Sequence, residues 1–181
     1  MSLETDFAMT RESLKGVQDE STYGGITSFM RRRYTRDLTG VDVAVLGVPF
    51  DLATTNRSGT RLGPRGIRTA SASLAWENQV QGWDFSPLEE LAIVDYGDCP
   101  FDAGTPEKVP EQIYQQAKAI LATDTALLSM GGDHFVSYPL LRAHAEKYGP
   151  LALIHFDAHS DTWEDDGERI DHGTMFYHAT K

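Results

Sequence analysis

Four short apolar runs stand out from an otherwise polar chain. They are residues 41–48 (VDVAVLGV), 91–95 (LAIVD), 126–130 (ALLSM) and 151–156 (LALIHF). Each is rich in aliphatic or β-branched residues and has Gly or Pro at or near one end. Continuous runs of this length predict strands buried on both faces. The segments between them carry a helical period. Residues 67–76 follow Pro64-Arg65-Gly66 and predict a short helix. Residues 106–123 predict a longer one, with Pro106 near its first turn and Ile113, Ala117, Ile120 and Leu121 on one face. Residues 137–148 predict a third, stopped by Gly149-Pro150. Strands that alternate with helices imply βαβ units and a parallel sheet, an α/β fold. Residues 1–40 are polar and aperiodic, so the chain divides into this segment and an α/β domain over 41–181. The basic run Arg31-Arg32-Arg33 with Arg36 reads as a solvated turn or a subunit contact.

Composition narrows the function classes. A net charge of −11 argues against a nucleic-acid partner, which needs clustered Lys and Arg to neutralise phosphates. It is compatible with a cationic substrate. The single Cys99 excludes an intrachain disulfide and fits a reducing compartment. The first residues, MSLETDFAMTRESLKG, have neither the charged start nor the apolar core of a signal peptide, and no stretch approaches a membrane span. A cytoplasmic protein without a membrane partner is the expectation.

The chemistry sits where two apolar runs end. Residues 151–161 read LALIHFDAHSD, so the last run stops abruptly in Asp157, His159 and Asp161 at alternating positions. Carboxylates and imidazole at the end of a buried strand are costly unless used, and together they suit a divalent transition ion. Residues 126–134 read ALLSMGGDH. The glycines permit a tight turn, and His134 then falls at the carboxyl end of its strand. Ligands in open α/β sheets bind outside those ends, which puts His134 and Asp157 on one side of the sheet. Taken alone, GGDH is also explained by a turn with a capping Asp. Asp133 is expected to brace that turn or orient an imidazole. His155, inside the run and opposite to Phe156 by alternation, is expected to be structural. The loop 58–66, SGTRLGPRG, lacks both the Gly-Lys-Ser/Thr ending and the G-x-G-x-x-G spacing of phosphate loops, so its arginines read as structural or at subunit contacts.

GGDHFVSYPLL, IHFDAHSD, DHGTMF (residues 171–176) and VPFDLATTNRSGTRLGPRGIR (residues 48–68) together resemble the ureohydrolases, the arginase and agmatinase family, with wording nearest its agmatinase branch. The resemblance runs from about Tyr23 to Lys181. It implies an arginase/deacetylase-like three-layer αβα fold and a binuclear Mn2+ site. His134, Asp157, His159 and Asp161 would be metal ligands, with Asp157 bridging, His134 and Asp161 completing one ion and His159 helping to hold the other. His172 would be the proton shuttle. The implied reaction is hydrolysis of a small cationic guanidino compound, agmatine, to putrescine and urea, a step of polyamine biosynthesis, in a homo-oligomer. The carboxylates of the loop around Trp163, Glu164, Asp165, Asp166 and Glu168 read mostly as solvated, with a cationic amine tail as the alternative partner. The family completes its site with a later strand ending in D-x-D and a further Glu, and this sequence contains neither. The chain therefore reads as the amino-terminal part of such an enzyme, inactive alone, with later strands lying between two of those present. A guanidinobutyrase or related ω-guanidino-acid hydrolase is the near alternative, and a non-catalytic truncated or split product is the other. A zinc deacetylase ranks lower because no His-His pair occurs.

Overall fold

A computed structural model describes residues 6–17, 20–21, 23–77 and 81–181. Its strands are β1 (Arg33–Tyr34), β2 (Val43–Val48), β3 (Ile93–Asp98) and β4 (Ala126–Gly131). Its helices are α1 (Phe7–Thr10), α2 (Gly63–Ala72), α3 (Pro87–Glu90), α4 (Val109–Leu121), α5 (Ser137–Tyr148) and α6 (Met175–Ala179). The strands form one parallel sheet in the order β1-β3-β2-β4. Val45 of β2 stands opposite Asp95 of β3 and Leu128 of β4. Among the described residues, no helix is long and apolar enough to cross a membrane.

The alternation of side chains along β2 divides the core in two. Ala44, Leu46 and Val48 face Val109, Ile113 and Ile120 of α4. Val45 faces Leu88, Ile93 and Met130, with Phe29 and Met30 packed alongside. Both faces of the sheet are thus covered, which explains why β2 reads as a continuous apolar run. Helix α5 docks on α4 through Ala143, beside Tyr114, Ala117 and Leu121.

Two regions depart from the sequence expectation. The first is the basic run. Arg31 and Arg32 are buried, at 5% and 1% exposure, and are not a solvated turn. Arg32 donates to the Gly16 carbonyl at 2.8 Å and Arg31 to the Gly24 carbonyl at 2.9 Å, and Arg31 pairs with Glu20. The amino-terminal coil has few ladder partners for its carbonyls, and the guanidinium groups satisfy some of them instead. Burial and the neighbouring Arg11 pull Arg32 down to about 10. Arg33 and Arg36 do remain exposed.

The second is the run 151–156. It joins no ladder, and Ile154 and Phe156 are 80% and 94% exposed. Among the described residues β4 pairs only with β2. An apolar run becomes a strand only when an edge offers it hydrogen bonds. Here 151–156 runs past Leu127 and Ser129 along the outer flank of β4, lining a cleft with them but not bonding to them.

Candidate metal centre

The turn after β4 sets the first ligand. The Gly132 amide donates to the Val48 carbonyl at 3.1 Å, and the Asp133 amide to the Phe50 carbonyl at 2.7 Å. A Cβ on Gly132 would collide with the backbone of Val48 and Phe50, so this close approach requires glycine. Asp133 then braces the turn. Its carboxylate accepts the amides of Ala53 at 2.8 Å and Phe135 at 3.0 Å. Burial raises its pKa even so, against those two amides. His134 is thereby fixed at the carboxyl end of the sheet, opening a short 3-10 turn over His134–Val136.

The second set comes from the segment after residue 156. His134 Nδ1 lies 2.6 Å from Asp161 Oδ2 and 3.3 Å from Asp157 Oδ2. His155 Nε2 lies 3.5 Å from that same Asp157 oxygen. One donor atom from each of His134, His155, Asp157 and Asp161 falls within 4.8 Å of the others. His155 Nε2 is buried and has no hydrogen-bond partner. His159 stands outside this group. Its side chain is 81% exposed, and its Nδ1 is 3.8 Å from the other Asp157 oxygen, Oδ1. The backbone amide of His159 instead holds that oxygen at 3.0 Å. This amide, with His134 and His155, keeps the Asp157 carboxyl below its ordinary range.

Two features show how tightly the cluster is framed. Asp161 adopts φ of 51°, a left-handed conformation that few non-glycine residues hold, and is 8% exposed. The edge-on contacts of Phe176 position both imidazoles, at 4.7 Å from His155 and 5.5 Å from His134. The Phe176 amide donates to the Asp161 carbonyl at 3.0 Å, so the segment 171–176 is clamped to the ligand loop. Two imidazoles and two carboxylates, one nitrogen of them buried and unpartnered, fit a divalent transition ion.

His172 lies beside the cluster rather than in it. Its Nδ1 is 2.7 Å from the Ala53 carbonyl, which requires the proton on Nδ1 and leaves Nε2 free to accept one. Nε2 is 3.3 Å from the Thr55 hydroxyl. With Thr54, Thr55, Asn56, Arg57 and His134 it lines a cleft of about 500 Å³. Asp51 anchors the loop that contributes Thr60 to that cleft. It is 1% exposed and accepts Arg61 Nε at 2.6 Å and the Gly59 amide at 2.7 Å. The loop 58–66 thus uses Arg61 structurally, to hold a carboxylate of its own chain.

The Arg61 side chain, with the amides of Gly59 and Arg61, holds the Asp51 carboxyl down at about 2, against an ordinary 3.8. Folding lowers this pKa, so its stabilisation is complete above the unfolded value and drains away as the pH falls from about 4 towards about 2. Urea-unfolding midpoints should fall across that window. The Asp51→Asn variant should be less stable at neutral pH and should lose less on acidification. Parallel acid profiles for the two proteins would contradict this assignment.

The reading of the sequence missed His155 as a member of the group. The signal was present, because residues 155, 157, 159 and 161 share one side of an extended chain. Periodicity alone could not say which of the two histidines turns inward.

The arginase family model matches residues 41–181. An agmatinase of Chromobacterium violaceum is 57% identical over 178 residues, which cover 97% of this chain and 55% of that protein. An agmatinase of Proteus mirabilis is 49% identical over 172 residues, covering 92% of this chain and 55% of that protein. Among solved structures, the crystal structure of a hypothetical agmatinase from Burkholderia thailandensis superposes with a TM-score of 0.93 at 55% identity, covering 99% of this chain and 57% of that one. The proclavaminate amidino hydrolase of Streptomyces clavuligerus superposes with a TM-score of 0.77 at 36% identity, over 89% of this chain and 53% of that one. The chain spans about half the length of the curated relatives it matches.

Proposed function

This chain belongs to the arginase family, and from that premise we propose that it carries part of a binuclear manganese centre that hydrolyses agmatine to putrescine and urea. The observation that carries the reading is the convergence of His134, Asp157 and Asp161 at the sheet's carboxyl edge, beside a cleft lined by His172. Asp157 would help hold both ions, with one oxygen 3.3 Å from His134 Nδ1 and the other 3.8 Å from His159 Nδ1. His134 and Asp161 would hold one ion, and the exposed His159 would help to hold the second. A bound pair of such ions supplies an activated water near neutral pH.

The chain's own residues supply the rest. The Ala53 carbonyl fixes the His172 tautomer, so Nε2 can take a proton and return it to the departing amine. The Thr55 hydroxyl holds that nitrogen towards the cleft. The acidic balance of the chain favours the approach of a cationic substrate. We place the protein in the cytoplasm as a homo-oligomer without nucleic-acid or membrane partners. A second reading has its own support. Arg57 lines the same cleft and would suit the carboxylate of an ω-guanidino acid such as 4-guanidinobutyrate.

Urea release tests these readings. Residues 1–181 alone should release little, because the D-x-D carboxylates are not in this sequence. Fusion to the portion of the Chromobacterium violaceum agmatinase that this chain does not match should give manganese-dependent turnover, restored after chelation, with agmatine preferred over arginine and 4-guanidinobutyrate. Preference for the acid would select the second reading. Full turnover by residues 1–181 alone would show that the missing ligands come from within this sequence or from another copy.

A further inference from the structure

We infer that Asp133 is a positioning residue for His172, and that through Ala53 it decides which nitrogen of that imidazole carries the proton. The inference deepens the reading of His172 as the proton carrier and rests on that reading for its consequence in catalysis. Two bonds in series make the connection. Asp133 Oδ2 accepts the Ala53 amide at 2.8 Å, across 80 residues of sequence. The carbonyl of that same Ala53 accepts His172 Nδ1 at 2.7 Å. A carbonyl can only accept, so this contact puts the ring proton on Nδ1 and leaves Nε2 as the basic nitrogen. The segment 48–53 is stapled to the turn after β4 at three points. The Gly132 amide holds the Val48 carbonyl at 3.1 Å, and the Asp133 amide holds the Phe50 carbonyl at 2.7 Å. Of the three, the Asp133 carboxylate alone reaches as far as Ala53.

Capping a turn does not by itself call for a carboxylate here. The other oxygen, Oδ1, accepts the Phe135 amide at 3.0 Å and caps the 3-10 turn that begins at His134. A serine hydroxyl performs that task about as well. Asp133 is 5% exposed, and its hydrogen-bond partners among the described residues are these two amides. Burying a carboxylate with so few partners is costly, and the oxygen that capping leaves over is the one that holds Ala53. One side chain thus sets both the turn that presents His134 and the carbonyl that orients His172. The two imidazoles, remote from each other in sequence, keep a common register through it.

The experiment uses residues 1–181, stripped of metal by chelation and labelled with 15N, and reads the histidine rings by long-range 1H–15N correlation at a pH where imidazole is neutral. In the parent, His172 should show a protonated Nδ1 and a bare Nε2, and the Ala53 amide should exchange slowly with D2O. Asp133→Ser keeps a hydroxyl cap for the Phe135 amide but is too short to reach Ala53. In this variant the two His172 nitrogens should converge towards the averaged values of the His159 ring, which is 81% exposed. Exchange at Ala53 should quicken about fivefold to tenfold, the scale of one net hydrogen bond. Thr55→Val removes the hydroxyl that lies 3.3 Å from Nε2 and should leave the proton on Nδ1. An Asp133→Ser protein with the proton still fixed on Nδ1 would overturn this inference and leave the hydrolase reading standing, since Nε2 would remain free. A changed tautomer in Thr55→Val would assign control to the hydroxyl and overturn it too. If Asp133→Ser fails to fold by circular dichroism, the parent decides. A protected Ala53 amide with the proton on Nδ1 then supports the inference, and a fast amide or a proton on Nε2 refutes it. The expected spectra from residues 1–181, beside a fused enzyme that releases no urea, would strike the hydrolase reading alone.

Discussion

Substituting alanine for His134 is expected to weaken binding of the first divalent ion by at least about a hundredfold while leaving the fold intact. Partners one shell removed from a metal already cost about 10–100-fold when lost, and His134 is in direct reach of both carboxylates. Its removal takes away a nitrogen that lies within 3.3 Å of both carboxylates. The turn that carries it is held by backbone bonds of Gly132 and Asp133 and by the Asp133 carboxylate, none of which uses the imidazole. Calorimetric titration with Mn2+ and far-ultraviolet circular dichroism measure the two halves of the claim. An unchanged affinity would mean that the ion binds elsewhere on the chain.

The largest loss of stability is expected at Arg68. This residue of α2 is 6% exposed and grips Asp95 of β3 through two bonds, Nε to Oδ2 at 2.7 Å and Nη2 to Oδ1 at 3.0 Å. Its remaining nitrogen reaches Asp98 at 2.6 Å. Burial alone would lower its pKa, but Asp95 and Asp98 raise it instead. Asp95 is fully buried and also accepts the amides of Phe29 and Gly97. Arg68→Ala would leave that carboxylate charged and deprived of its cation, a defect that costs about 3–5 kcal/mol in comparable pairs. Arg68→Lys should recover only part, since an ammonium cannot reproduce the two-pronged contact. Urea-unfolding midpoints of both variants give the answer. A cost near zero for the alanine variant would show that water or another cation replaces the guanidinium.

The elements that the sequence revealed are those whose stability is local or fully buried. β2, β4 and α5 fall within a few residues of their predicted bounds, and α4 takes the predicted apolar face, with Ile113, Ala117 and Ile120 fully buried. These segments show their environment in their own composition. The buried Arg31 and Arg32 were illegible because, apart from the pairing of Arg31 with Glu20 and Asp6, they hold carbonyls such as those of Gly16, Gly24 and Ile26, which leave no mark on side-chain pattern. Residues 151–156 carried a strand's composition but lack a strand's neighbour, and composition says nothing about the neighbour. At the site, residue types and the order of motifs marked where donors would gather. Which histidine turns inward depends on the bend at residues 157–159 and on the left-handed Asp161, and neither follows from alternation.

The order of the sheet also has a consequence in time. β2 lies between β3 and β4, so Val43 must find both Ile93 and Ala126 as partners. A polypeptide emerging from the ribosome presents the apolar β2 early and its last flanking strand, β4, much later. At about 5–20 residues per second the interval is on the order of ten seconds. Every ladder in this sheet is parallel and therefore closes a long loop before it is rewarded, which slows folding further. Until Ile93–Asp98 emerges, Val43–Val48 is an adhesive segment with no mate, and until Ala126–Gly131 follows, one of its edges stays open to other chains.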